Sequence, residues 1–252
     1  MAKILAGENL WKAFETNGEE TKVLNGVSVS VEEGEFVAVM GPSGSGKSTL
    51  IYALSGMDRV NSGTVCFDGR ELSSMKENEL ADLRRNQMGF IFQQPTLLKN
   101  LNLLDNILLP SLRDHRKDKS SLIRHAKALM KKTGISQLED RDITEVSGGQ
   151  LQRAGICRAL MHSPKMIFGD EPTGSLNSKS SAEVMDLLTD IHGEGTAVML
   201  VTHDAKVAAR ADRVLFMKDG KMISELRFCR SEDRRLDQRL QLVSEKMQEC
   251  EI

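Results

Sequence analysis

The sequence predicts an α/β fold built on a mostly parallel sheet with both faces covered. Three observations predict it. A glycine-rich stretch, residues 41–49 (GPSGSGKST), stands between an apolar run and a helix-forming one. Apolar runs of strand length recur later, at residues 89–92, 165–168, 197–201 and 214–217. The last three alternate with helical patterns at residues 180–191 and 205–211, as parallel strands joined by crossover helices require.

Residues 4–10 and 23–31 alternate apolar with polar around the polar segment 17–20, which predicts a small antiparallel sheet at the N-terminal edge. Residues 36–40 (FVAVM) have no polar member and read as a strand buried on both faces, followed after the glycines by a helix over 49–54. Residues 63–67 with Asp68-Gly69 behind them read as a strand and tight turn. Leu103, Ile107 and Leu108 then recur at helical spacing, Pro110 interrupts, and residues 121–132 form a second helix with a basic exposed face. This predicts an inserted helical lobe, extended by the helical run 151–161 to about residues 97–163. Residues 230–251 are charged but carry Leu236, Leu240, Val243 and Met247 on one helical face, which predicts a docked helix rather than a coiled-coil contact, the stripe being too short for several heptads. The chain thus divides into a domain of residues 1–228, with the lobe inserted, and a charged helical extension of residues 229–252.

A formal charge of −2 over 252 residues argues against a protein whose main work is neutralising nucleic-acid phosphates, so no nucleic-acid partner is expected. Cys66, Cys157, Cys229 and Cys250 are scattered without C-x-x-C spacing, which suggests reduced thiols rather than a zinc site or redox pair. The apolar part of the N-terminus is short for a secretory signal, and nowhere do 18 apolar residues run together. The chain itself is not expected to cross a membrane.

Gly41, Gly44 and Gly46 let the backbone of the loop Gly41-Pro42-Ser43-Gly44-Ser45-Gly46 turn its N–H groups toward one point, where the following helix adds partial positive charge. Phosphate is the natural occupant. Lys47 would reach the β- and γ-phosphates of a nucleotide, Ser48 would offer its hydroxyl to the accompanying Mg²⁺, and Thr49 opens the helix. At the end of the run 165–168, Asp170 is suited to hold Mg²⁺, and Glu171 to polarise a water in line with the γ-phosphate. Ser147-Gly148-Gly149-Gln150 precedes a second helix and reads either as an ordinary capped start or as a second anion site. One nucleotide does not need both. The economical use of the second is to cap a nucleotide held by another copy, which implies a two-fold dimer with ATP at the interface.

These motifs, in this order, resemble the ATP-binding subunit of an ABC transporter over nearly the whole length to about residue 228. GPSGSGKST resembles the family's Walker A, Gln93 in GFIFQQ its Q-loop, VSGGQ its signature, MIFGDE its Walker B, GSLN its D-loop, and His203 in LVTHD its switch histidine. The resemblance implies a P-loop NTPase cassette with a mostly parallel core sheet, an N-terminal antiparallel β-subdomain and an inserted α-helical lobe. It implies ATP and Mg²⁺ as cofactors, Glu171, His203 and Gln93 as catalytic residues, Ser48, Gln93 and Asp170 around the metal, and Phe14 stacked on adenine. It further implies a homodimer on ATP that powers a separate integral membrane permease from the cytoplasmic face of the membrane. Val146 and Asn177 depart from the family's usual leucine and aspartate. Residues 84–110 and 169–180 look most like the group that serves lipoprotein release, macrolide export and antimicrobial-peptide resistance. Membrane signalling without transport, or a soluble ABC ATPase, are the alternative uses of such a chain. Surplus apolar residues at Leu97, Leu98, Leu101 and Leu104 are expected either to contribute to a groove that receives a short helix of the permease or to serve as the lobe's own core.

Overall fold

The computed structural model describes residues 2–16, 18–112, 119–228 and 235–252. In chain order the elements are β1 (Lys3–Thr16), β2 (Glu19–Glu32), β3 (Phe36–Met40), α1 (Lys47–Leu54), β4 (Ser62–Phe67), β5 (Arg70–Glu71), α2 (Glu77–Gln87) and β6 (Met88–Phe92). There follow α3 (Leu103–Leu108), α4 (Lys119–Lys132), α5 (Gly148–Leu160), β7 (Met166–Asp170), α6 (Ser178–Gly193), β8 (Ala197–Thr202), α7 (Ala205–Ala208), β9 (Arg213–Lys218), β10 (Lys221–Arg227) and α8 (Leu236–Glu249).

Two sheets form. β2-β1-β4-β5 is antiparallel throughout, while the six-stranded order β10-β9-β3-β8-β7-β6 is parallel except for the edge strand β10. The central strands are buried on both faces, so each sends alternate residues into different cores. In β3, Val37 and Val39 join the core shared with the antiparallel sheet and α1, and Phe36, Ala38 and Met40 join the one under α6, α7 and α8. β8 divides the same way, with Met199 and Val201 on the first side and Val198 and Leu200 on the second. A third core, made by Leu103, Ile107, Ala126, Met130, Ala154 and Cys157, holds α3, α4 and α5 together as a helical lobe.

Several expectations need correction. β7 continues through Asp170, so that carboxylate belongs to the strand itself, and α7 stops at Ala208. α2 and β10 carry no strong apolar pattern, so the sequence does not predict them. α2 buries only Leu80 and Leu83, and β10 alternates half-buried with exposed residues, as suits a peripheral strand. Leu97 and Leu104 are half-buried against the lobe's own core, as one of the two expected roles has it, while Leu98 is 46% exposed.

α8 docks with Val243 fully buried and Leu240 and Met247 packed beside it, but Leu236 is 47% exposed and stays outside that contact. Residues 230–234 of the expected helix lie outside the described residues. Because Val243 fills a closed site, Val243→Ala should cost roughly 1–3 kcal/mol through lost transfer energy and a residual cavity. Urea unfolding should show the midpoint lowered with an unchanged slope.

Candidate functional site

Parallel strands carry their carboxyl ends to one edge of the sheet, where α/β folds place ligands. Here β3, β8, β7 and β6 lie in that order, and residues Met40 and Thr202, Val201 and Asp170, and Asp170 and Phe92 are paired neighbours at their ends. The segments that follow these strands therefore bring the 41–49 loop, His203, Glu171 and Gln93 side by side.

The loop is held by backbone on its inner side and open on its outer side. A Cβ on Gly41 would stand 2.1 Å from the Met217 carbonyl oxygen, and one on Gly46 2.6 Å from that of Val23. Gly46, with φ +99°, also adopts a conformation that side chains rarely allow. Pro42, Ser43 and Gly44 are exposed, whereas Ser45 is buried. Gly46 is the N-cap of α1 and has no side chain to bond the first-turn N–H groups, which leaves them directed at the open rim. Thr49 sits half-buried in that first turn.

Lys47 lies across the loop, its Nζ donating to the carbonyls of Gly41 at 2.9 Å and Pro42 at 2.8 Å. Burial pushes its pKa down, while the charges of Glu171 and Asp170 oppose that shift. Ser48 Oγ donates to Asp170 Oδ1 at 2.8 Å, and Tyr52, one turn further along α1, donates its hydroxyl to Oδ2 at 2.6 Å. Burial and the bond to Asp170 push the Tyr52 phenol up to about 12, so it remains a donor at neutral pH.

Glu171 has φ +45°, a left-handed backbone that costs a non-glycine residue about 1–2 kcal/mol. Its Oε1 lies 3.1 Å from His203 Nδ1. Its Oε2 and Gln93 Nε2 both face Gly174, standing 3.1 and 2.9 Å from where a Cβ there would be. Gln93 is braced by Ser175, whose hydroxyl donates to its carbonyl at 3.0 Å, and by Gln152, whose amide donates to the preceding Phe92 carbonyl at 2.9 Å. Tyr52, Ser175 and Gln152 were not singled out from sequence. The only available signal was the four-residue spacing of Ser48 and Tyr52.

Phe14 is 42% exposed on β1, with Lys12 Nζ 4.9 Å from its ring centroid. It pairs with Thr21 on β2, the strand whose Val23 touches the loop, so an exposed ring stands near the loop's flank. Ser147 and Gln150 close a capping box at the start of α5: Ser147 N donates to Gln150 Oε1 at 2.8 Å, and Gln150 N to Ser147 Oγ at 3.4 Å. Gly148 is exposed, but Gly149 is bare for packing, since a Cβ there would meet Ser180 Oγ at 2.7 Å. Asn177 likewise has a local task, accepting from Ser180 N at 2.9 Å as the N-cap of α6.

The donors fit a hard divalent cation that arrives with phosphate. Ser48 and Asp170 bring a hydroxyl and a carboxylate oxygen together, Gln93 follows the strand paired with that of Asp170, and among the described residues no group of three or more His, Cys, Asp or Glu side chains could hold a metal ion.

A family model described as ABC transporter matches residues 24–174, more than half of the chain. The chain belongs to that family. It is an ATP-binding cassette, 40% identical over 224 residues to the bacitracin export ATP-binding protein BceA of Halalkalibacterium halodurans, with 88% of both chains covered. It is 41% identical over 217 residues to the macrolide export ATP-binding/permease protein MacB of Chlorobaculum tepidum. That match covers 86% of this chain and 33% of the relative, so the cassette spans about a third of that protein's length. Among solved structures, a dimeric ATP-binding cassette in a post-hydrolysis state, bound to ADP and Pi, matches with a TM-score of 0.83 at 33% identity, covering 88% of this chain and 98% of the other. Among the described residues no helix of the cassette is long and apolar enough to cross a membrane.

Two substitutions test the geometry. In Gly174→Ala the nearest neighbours of the new methyl would be the flexible ends of Gln93 and Glu171, so we expect the melting temperature to hold within about 3 °C while ATP turnover falls at least fivefold. Asn177→Asp preserves the α6 cap, since aspartate caps as well as asparagine, and should change turnover by less than about tenfold in steady-state assays.

Proposed function

We propose that the cassette binds Mg-ATP in the 41–49 loop, hydrolyses it between two copies of the chain, and drives a separate integral membrane permease from the cytoplasmic face. The cargo class we infer is a peptide, lipoprotein or antimicrobial, in keeping with the export names of its relatives. The observation that carries the reading is the meeting of Ser48 with Asp170 beside the Glu171–His203 pair, at the open rim of a glycine loop.

The loop's N–H groups and Lys47 receive the β- and γ-phosphates, Lys47 exchanging its two carbonyl partners for phosphate oxygens. Bound there, Mg²⁺ would neutralise phosphate charge and hold the phosphates in one geometry. Ser48 and Asp170 would hold it, with Gln93 following the adjoining strand β6. Glu171 Oε2 accepts the proton of the attacking water, while its Oε1 is fixed by His203, which is exposed enough to turn to the γ-phosphate. Phe14 offers a ring to the base. Ser147, Gly148, Gly149 and Gln150 lie at an α5 start that faces solvent at Ser147 and Gly148, which suits a phosphate presented by a second copy.

For the permease, the cassette offers a cleft of about 290 Å³ lined by Met57, Arg84, Phe90, Phe92, Pro110 and Arg158, with Leu109 and Leu112 exposed beside Pro110. It ends one residue before Gln93, so an occupant there would be felt at the nucleotide.

Lys47→Ala should abolish measurable ATP binding. Glu171→Gln should bind ATP as wild type does and lose turnover by at least about a hundredfold, because a general base contributes 10²–10⁴-fold. Turnover of Glu171→Gln within threefold of wild type would remove Glu171 from the base position.

A further inference from the structure

We propose that Tyr52 is a positioning residue for the cation of the bound nucleotide: its hydroxyl fixes the Asp170 carboxylate so that the opposite oxygen faces Ser48 and the metal. The inference rests on the Mg-ATP reading above and concerns a residue outside the 41–49 loop.

Ser48 and Tyr52 are four residues apart on α1, so their side chains share one face a single turn apart. The Asp170 carboxylate lies across both, one oxygen accepting from each hydroxyl at 2.8 and 2.6 Å. A carboxylate held by one donor can still rotate about its terminal torsion, which is broad. One held by two donors on the same rigid helix cannot, and its plane is set before the cation arrives. For a cation at this place Ser48 Oγ and Asp170 Oδ1 would be the ligand oxygens, Asp170 directly or through water. Tyr52 would keep Oδ2 throughout, because its hydroxyl bonds that oxygen and not the Oδ1 that faces Ser48. Groups that orient a metal ligand in this way are often worth 10–100-fold in metal affinity or activity.

The competing explanation is that the ring merely packs against the core beside α1 and its hydroxyl takes the nearest acceptor. Tyr52→Phe separates the two, since it keeps the ring and removes only the donor.

Binding of a fluorescent ATP analogue to the full chain, titrated with Mg²⁺ and repeated in EDTA, gives the readout. We expect the Mg²⁺ concentration for half-maximal tight binding to rise about tenfold in Tyr52→Phe, with affinity in EDTA unchanged within twofold. On an Asp170→Asn background the same substitution should add nothing further. A Mg²⁺ requirement within twofold of wild type overturns the proposal, as does an equal effect on the Asp170→Asn background. A metal-free melting temperature lowered by more than about 4 °C, or affinity lost equally in EDTA, would make Tyr52 structural and overturn it too. Wild-type protein that fails to bind Mg-ATP would sink the nucleotide reading itself, whereas normal wild-type binding with an unaltered variant sinks this inference alone.

Discussion

The contact on which the rest depends is the closure of a glycine loop against two strands. Gly41 and Gly46 lie so near the carbonyls of Met217 and Val23 that any side chain would force those backbones apart. Because the loop is wedged between β9 and β2, its outer rim faces away from both. The direction of α1 follows, and with it the placing of Ser48 and Tyr52 on the carboxylate of Asp170, 122 and 118 residues away in sequence. Lys47 folds across the same loop, so one stretch of backbone organises the cationic, hydroxyl and amide donors together.

The sheet supplies the second half of the arrangement. Parallel order brings β6, β7 and β8 to the rim next to β3, and the residue after β7 departs from ordinary strand geometry. Glu171 in the left-handed region is a local expense on the order of 1–2 kcal/mol. It is offset by a strand whose preceding residues Ile167 and Phe168 are fully buried, and the turn directs the side chain toward His203 and Gln93 rather than back along the sheet.

Much of the fold was legible because its central strands are continuous apolar runs and its loop stands in a strand-loop-helix context. Phe36 to Met40 is buried at every position, and no other element type suits five such residues ahead of glycines. α2 was illegible for the opposite reason: it buries two leucines among charged residues and is held by contacts such as Arg84 with Glu77 and the Gly56 carbonyl. Leu236 fits the helical stripe of α8 by spacing, yet the helix docks through Val243, because spacing gives a face and not the extent of its cover. In the site, pairings between residues distant in sequence were hidden. Nothing in Tyr52, Ser175 or Gln152 as letters says that each bonds to a group on another element. The Ser147–Gln150 capping box shows the converse, since the residues that suit an anion site also suit an ordinary helix start.

In the assembly proposed here, one chain supplies the loop and the strand ends while a second supplies the start of α5, so neither copy alone encloses the triphosphate. Light scattering on the hydrolysis-impaired Glu171→Gln protein measures this most directly. The expected result is a monomer without nucleotide, a doubling of mass with Mg-ATP, and no doubling when Ser147→Arg is added to fill the α5 start. A mass independent of Mg-ATP, or a Ser147→Arg protein that still doubles, would contradict it.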